Sequence, residues 1–219
     1  MSASDLSAAL SDVRRAYRLL WGFQKRILQY NAFIRERLGY ARYTVDYQFG
    51  RLDKGIEGKW SWDLLPGALI GFEAVRLTAL VDSYPQGEWW NYPKAGDRLL
   101  YVNVVADTAL LEARERCSHE PNPLSFAAPE STRSELQLWV LENRADRTDR
   151  TNWQDSLVRR VATWPGHMEV VMDEATALGL YCEIFDLIKI GDEDDLAVRI
   201  DEFAAAADNA LAPKRAHVT

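Results

Sequence analysis

The sequence predicts an α+β fold with a long N-terminal helix, a mostly antiparallel sheet and C-terminal helices. Three observations predict it. Apolar residues recur with a heptad period over residues 5–38. The period then changes to two. The later strand-like runs follow one another without the regular strand–helix–strand alternation that builds a parallel sheet.

In the first element Leu6, Leu10, Val13, Tyr17, Leu20, Gln24, Ile27, Asn31, Ile34 and Leu38 fall at alternating steps of four and three, which is one face of a single helix. Ser4 or Asp5 can cap its start, and Gly39 stands where a left-handed residue often ends a helix. At 1.5 Å per residue the helix is roughly 50 Å long, more than the diameter of a domain this size, so part of it projects or lies along a partner. Trp21, Phe23, Leu28, Tyr30 and Phe33 widen the stripe, which points to packing on a sheet for some of its length. Gln24 and Asn31 share one heptad row, and burying an amide without a partner costs about 1–3 kcal/mol. That row predicts that Leu20 to Ile34 packs against another helix, from a second copy or a partner chain, where the two amides pair and fix register. The alternative is a core face rotated toward Trp21, Leu28 and Phe33.

Beyond the helix Tyr43, Val45, Tyr47 and Phe49 alternate as a strand, and residues 50–58 are a turn-rich break. Residues 68–81 are apolar and fit helix or strand, with Asp63 as a cap and Pro66 near a first turn. Residues 82–96 read as a loop, and 98–107 as a buried strand rich in Leu and Val. Pro121, Pro123 and Pro129 mark 117–134 as a candidate internal linker. Leu136, Leu138 and Val140 alternate as a strand; Thr151 with Gln154 forms a capping box for a short helix with Trp153, Leu157, Val161 and Trp164 on its apolar face. Residues 168–173 and 179–190 make a hairpin whose second strand puts Leu180, Cys182, Ile184 and Ile188 on one face. An acidic, capped turn starts a last helix over 193–208, with Leu196, Ile200, Phe203 and Ala207 inward. The organisation expected is a helical part over 1–42 and an α+β globular domain over 43–212.

Composition narrows the function classes. A hydrophobic fraction of 47% with 27% charged residues is that of a globular protein. No apolar run approaches the roughly 20 residues of a membrane span. The N-terminal residues lack the basic start and apolar stretch of a secretory signal, and 2 cysteines show no spacing pattern, which together predict a cytoplasmic protein. The net charge of -7 is unevenly spread. Residues 1–42 hold eight basic against three acidic side chains, whereas residues 169–211 hold two against twelve. The two ends therefore attract each other, within one chain or between copies.

Motifs with chemistry are sparse. No phosphate loop, dinucleotide loop or nucleophile elbow is present. Cys117 and His119 lack two further ligands for zinc, and Asp192 to Asp195 lack the glycine and glutamate of a calcium loop, so no metal and no cofactor are expected. Glu36 on a helix, Asp46 on a strand, then Glu57 and Lys59 give the order of two acids and a Glu-x-Lys triplet. This order resembles the PD-(D/E)xK nuclease superfamily, and the resemblance implies that carboxylates hold a divalent metal while lysine steadies the attacking water. The triplet departs from that pattern, since Gly55 and Gly58 stand around Glu57 and no proline precedes Asp46. Trp60 and Trp62 read as packing beside it. Trp89 and Trp90 sit in a loop, where aromatic residues mark binding surfaces.

The leading expectation is a non-catalytic accessory or adaptor subunit, binding a protein partner or a second copy through Tyr17, Leu20, Gln24, Ile27, Asn31, Ile34, Trp89 and Trp90. The alternatives are the metal-dependent nuclease using Asp46, Glu57 and Lys59, and a nucleic-acid-binding protein without cleavage. The last would use Arg14, Arg18 and Lys25 beside Tyr17 and Trp21, against the overall acidity.

Overall fold

Gly39 decides where the first helix stops. Its φ of 70° is the left-handed conformation that glycine adopts at least cost. It lets the Gly39 amide donate to the Glu36 carbonyl at 3.2 Å and the Tyr40 amide to the Arg35 carbonyl at 2.8 Å, the paired closure of a Schellman end. The computed structural model describes residues 3–47, 69–116 and 122–212. In it the helix, α1, runs Ala3–Leu38, and its 36 residues amount to roughly 54 Å.

The strands are β1 (Ala41–Tyr47), β2 (Leu69–Arg76), β3 (Arg98–Val105), β4 (Glu135–Asn143), β5 (Val170–Asp173) and β6 (Leu178–Asp186); the further helices are α2 (Thr108–Arg116) and α3 (Glu193–Leu211). Among the described residues they form one α+β unit with a six-stranded sheet in the order β1-β2-β3-β4-β6-β5. Every pairing is antiparallel. The segment 68–81, open to two readings in the sequence, contributes β2. The proline-rich stretch bridges neighbouring strands: its described part makes 3₁₀ turns at Pro123–Ser125 and Pro129–Ser131, and β3 pairs directly with β4 across it.

Alternation along the strands gives the sheet two faces. One carries Phe72, Leu100, Val102, Leu136, Leu138 and Tyr181, and it is covered by Ile27 and Ile34 of α1 and by Leu196, Ile200, Phe203, Ala207 and Leu211 of α3. The other carries Val75, Leu99, Leu141, Leu178 and Leu180 beneath Trp153, Leu157, Val158 and Val161. Asp192 caps α3 by accepting from the Asp195 amide at 2.9 Å. At its other end Arg98 bridges Glu142 and Asp208, and Arg144 donates to the Leu211 carbonyl at 2.9 Å. The charge asymmetry is partly consumed inside the chain, because Arg37 of α1 grips Asp201 of α3 with two hydrogen bonds of 2.7 and 2.6 Å.

Three local expectations are corrected. The segment with the expected capping box is not an α-helix: a π turn over Trp153–Leu157 runs into a 3₁₀ turn over Val158–Arg160. The Thr151 and Trp153 amides, which a cap would have used, donate instead to the Asn91 and Trp90 carbonyls at 2.7 Å each. Ile188 does not share a face with Leu180 and Cys182, because β6 ends at Asp186, whose carboxylate accepts from the Ile188 amide and turns that side chain out to 86% exposure. Helix α2 was not expected; Asp107 starts it by accepting from the Ala109 amide at 2.9 Å, and Leu110 is buried beside Val105.

Candidate functional site

The heptad row of α1 splits between two environments. Ile27 and Ile34 are buried in the core, and Asn31 between them is buried too. The helix they meet there is the chain's own α3, which shares their core cluster. The Asn31 Oδ1 atom accepts no hydrogen bond from the described residues, and Gln24 is half-buried. Toward the N-terminus Leu6, Leu10, Val13, Tyr17 and Leu20 are 38–63% exposed, and Leu19 and Trp21 more so. Exposed Trp21 and Leu28 rule out a core face rotated toward them. An apolar ridge about five turns long is thus left exposed among the described residues. It is edged by Arg14, Arg15, Arg18 and Lys25, with the Lys25 ammonium 5.3 Å from the Trp21 ring centre.

Where the helix meets the domain there is a groove of about 400 Å³. Phe23, Arg26, Ile27 and Tyr30 form one wall, and Arg133 and Ile188 lie on the other. The Arg26 guanidinium lies 5.7 Å from the Tyr30 ring centre and reaches the Gly191 carbonyl at 3.4 Å. Arg133 sits 3.4 Å from Glu135. The ridge therefore runs toward a groove with an aromatic wall from Phe23 and Tyr30 and with Arg26, Arg133 and Asp186 among its charged lining.

The tryptophan loop is built on Asp97. This fully buried carboxylate accepts from the Thr78 amide at 2.8 Å, the Tyr84 hydroxyl at 2.8 Å and the Lys94 amide at 2.7 Å. Burial, with the Asp97 hydrogen bond, pushes the Tyr84 phenol up to about 12. On this frame Trp89 packs half-buried against the second core cluster, while Trp90 stands 37% exposed, edge-on to it with ring centres 5.6 Å apart.

A second polar feature lies within the sheet. Glu73, Asn103, Glu135 and Gln137 are all buried among apolar strand residues. The Asn103 Nδ2 donates to Gln137 Oε1 at 2.7 Å, and the Gln137 Nε2 to Glu135 Oε2 at 2.9 Å. Gly71 lies in the cross-strand row of Asn103 and Gln137, and a Cβ there would come within 2.1 Å of the Tyr101 hydroxyl and force that ring to move. The signal in the sequence was a polar residue of constant parity interrupting each apolar run, Glu73, Asn103 and Gln137. The register pairs Asp46 of β1 with Gly71. Nothing further is described for Asp46, and Glu57, Lys59, Trp60 and Trp62 lie outside the described residues, as do Cys117 and His119. Among the described residues no three His, Cys, Asp or Glu side chains converge as a metal site. Burial pushes the Cys182 thiol up to about 12, with Glu183, Glu169 and Glu135 adding to it, so it is not a thiolate nucleophile at neutral pH.

Comparison with known proteins places this geometry among relatives. The family model described as PM0109 matches residues 3–212, which takes in α1 from its projecting end, the sheet and α3. The chain is 27% identical over 188 residues to the uncharacterized protein PM0109 of Pasteurella multocida strain Pm70, covering 84% of this chain and 83% of that protein. No solved structure matches.

Proposed function

We propose that this chain, which belongs to the PM0109 family, is a non-catalytic protein–protein interaction subunit, an accessory or adaptor protein that works in the cytoplasm through the projecting half of α1. One observation carries the reading: the heptad row that packs into the core at Ile27 and Ile34 continues outward with Leu6, Leu10, Val13, Tyr17 and Leu20 left in water. Apolar area left in water costs roughly 25 cal/mol per Å², so a ridge of this length is stabilised by a covering surface. No helix among the described residues is long and apolar enough to cross a membrane. The test is light scattering after size exclusion, with native co-purification, on the wild type and on a Leu10→Glu, Tyr17→Glu double variant. The expected result is an assembly or partner that the double variant loses while its circular dichroism is unchanged. A strict monomer that carries nothing along overturns the reading.

A second reading, nucleic-acid binding without cleavage, is favoured by the exposure of Tyr17 and Trp21 beside Arg14, Arg18 and Lys25. It requires binding that falls steeply with salt. The nuclease reading stands on Asp46, Glu57 and Lys59, and is tested by incubation with Mg²⁺ or Mn²⁺ and mixed DNA and RNA, with Glu57→Ala as the control.

A further inference from the structure

We infer that the partner of the projecting half of α1 is the same half of a second copy, laid against it antiparallel, with each acidic tip running toward the basic groove at the base of the other. The inference rests on the interaction reading above and adds the identity and direction of the partner.

Charge along the helix carries it. Up to residue 13 the acids Asp5 and Asp12 are the only charged side chains, Asp12 being held at 3.2 Å by Arg15 of its own helix, and from 14 to 26 Arg14, Arg15, Arg18, Lys25 and Arg26 are. In a parallel pair each basic side chain would meet its own copy, and both domains, with their acidic α3 helices, would lie at the same end. An antiparallel pair sets the acidic half of each helix beside the basic half of the other, and like charges held side by side are unfavourable while opposite ones are favourable. It also separates the two domains. The periodicity is compatible with it, because alternating steps of four and three also make a seam for another helix. Ala9 and Ala16, both exposed, flank the seam on one side and let a second backbone approach closely.

The base of the helix suits the tip of the other. Antiparallel overlap of the exposed residues brings Asp5 of the copy toward Arg18, Lys25 and Arg26. Arg26 and Arg133 line the groove beside a single acid, Asp186, and Phe23 and Tyr30 give its aromatic wall. Along the seam, Leu6 and Leu10 of one chain fall beside Tyr17, Leu20 or Val13 of the other, so apolar side chains meet apolar ones throughout. The chain's own α1 and α3 already use the same logic where Arg37 meets Asp201.

The experiment uses the full chain in a Cys117→Ser background, with spin labels at Arg15→Cys or Gln29→Cys, both exposed positions on the back of the seam. The wild type is expected at twice the 25.0 kDa chain mass, and Leu10→Glu with Val13→Glu is expected to weaken the dimer at least a hundredfold. The label pair at position 29 is expected roughly 30 Å or more further apart than the pair at position 15, because antiparallel helices diverge from their crossing point at 1.5 Å per residue on each chain. Equal separations at the two positions, the signature of a parallel pair, overturn the inference. So does a wild type that is monomeric up to about 100 µM, a concentration that detects even weak pairing. If that monomer still loses a foreign partner on the same substitutions, the interaction reading stands and the second copy is excluded. A dimer indifferent to the substitutions overturns both.

Discussion

Ile27 and Ile34 continue the row begun by Leu6, Val13 and Leu20, yet the first two are 4% and 0% exposed and the other three 38–49%. All five are aliphatic and the period is unbroken. The difference lies in what stands opposite. Behind Ile27 and Ile34 are Phe203, Ile200 and the first sheet face, whereas no described residue covers the first five turns. A heptad therefore specifies that a helix will be covered on one side and leaves open by what. In this chain one half of that demand is met internally and the other is left for a second surface.

That contrast can be broken most forcefully at its docked end. Ile34→Ala removes a fully buried side chain from between α1, α3 and the sheet, and should cost about 2–5 kcal/mol in urea unfolding. A loss below about 1 kcal/mol would mean that the docked half is held no more firmly than the free half. Next, Asn31→Leu should raise stability by about 1 kcal/mol or more, since the buried Oδ1 makes no hydrogen bond with the described residues. A destabilised variant would show that the amide is satisfied in solution. In the projecting half, Leu10→Ala should change the unfolding free energy of the isolated chain by less than about 0.5 kcal/mol. A thermal melt read at low protein concentration checks this, and a core-sized loss would show that the ridge is covered within the monomer.

The smallest effect expected is that of pH on the docked end of α1. The Arg37 guanidinium, by hydrogen bonding and charge, holds the Asp201 carboxyl below its ordinary value. Because the folded value is depressed, its stabilisation is present above the ordinary carboxylate range and is lost as pH falls through the lower folded value. Wild type should therefore exceed Asp201→Asn in stability at neutral pH, and the two should converge in acid. Parallel pH curves would show that solvent screens the pair completely.

What the sequence determined by itself is the set of local choices that short-range physics decides. The heptad row and Gly39 fixed one helix to within two residues, because its period and its stop signal are both local. A Leu- and Val-rich run gave β3, alternating apolar residues gave β4 and the second strand of the β5–β6 hairpin, and an acidic capped turn with Leu196, Ile200, Phe203 and Ala207 gave α3 and its inward face. The sum of these elements implied an α+β fold because strands follow one another without helical crossovers. Only the tertiary structure decided how far along α1 the core reaches, since Ile27 and Leu20 are alike in sequence and differ only in whether α3 stands beneath them. It also decided that Thr151 and Trp153 spend their amides on the Asn91 and Trp90 carbonyls, which left the following segment in π and 3₁₀ turns under the sheet. The same holds for Glu73, Asn103, Glu135 and Gln137, scattered over about sixty residues of chain and brought onto adjacent rows of one sheet face by strand register. Period and capping act over a turn or two of backbone, whereas burial is settled by partners far away in sequence, and a stripe of apolar side chains records the need for such a partner without recording which surface supplies it.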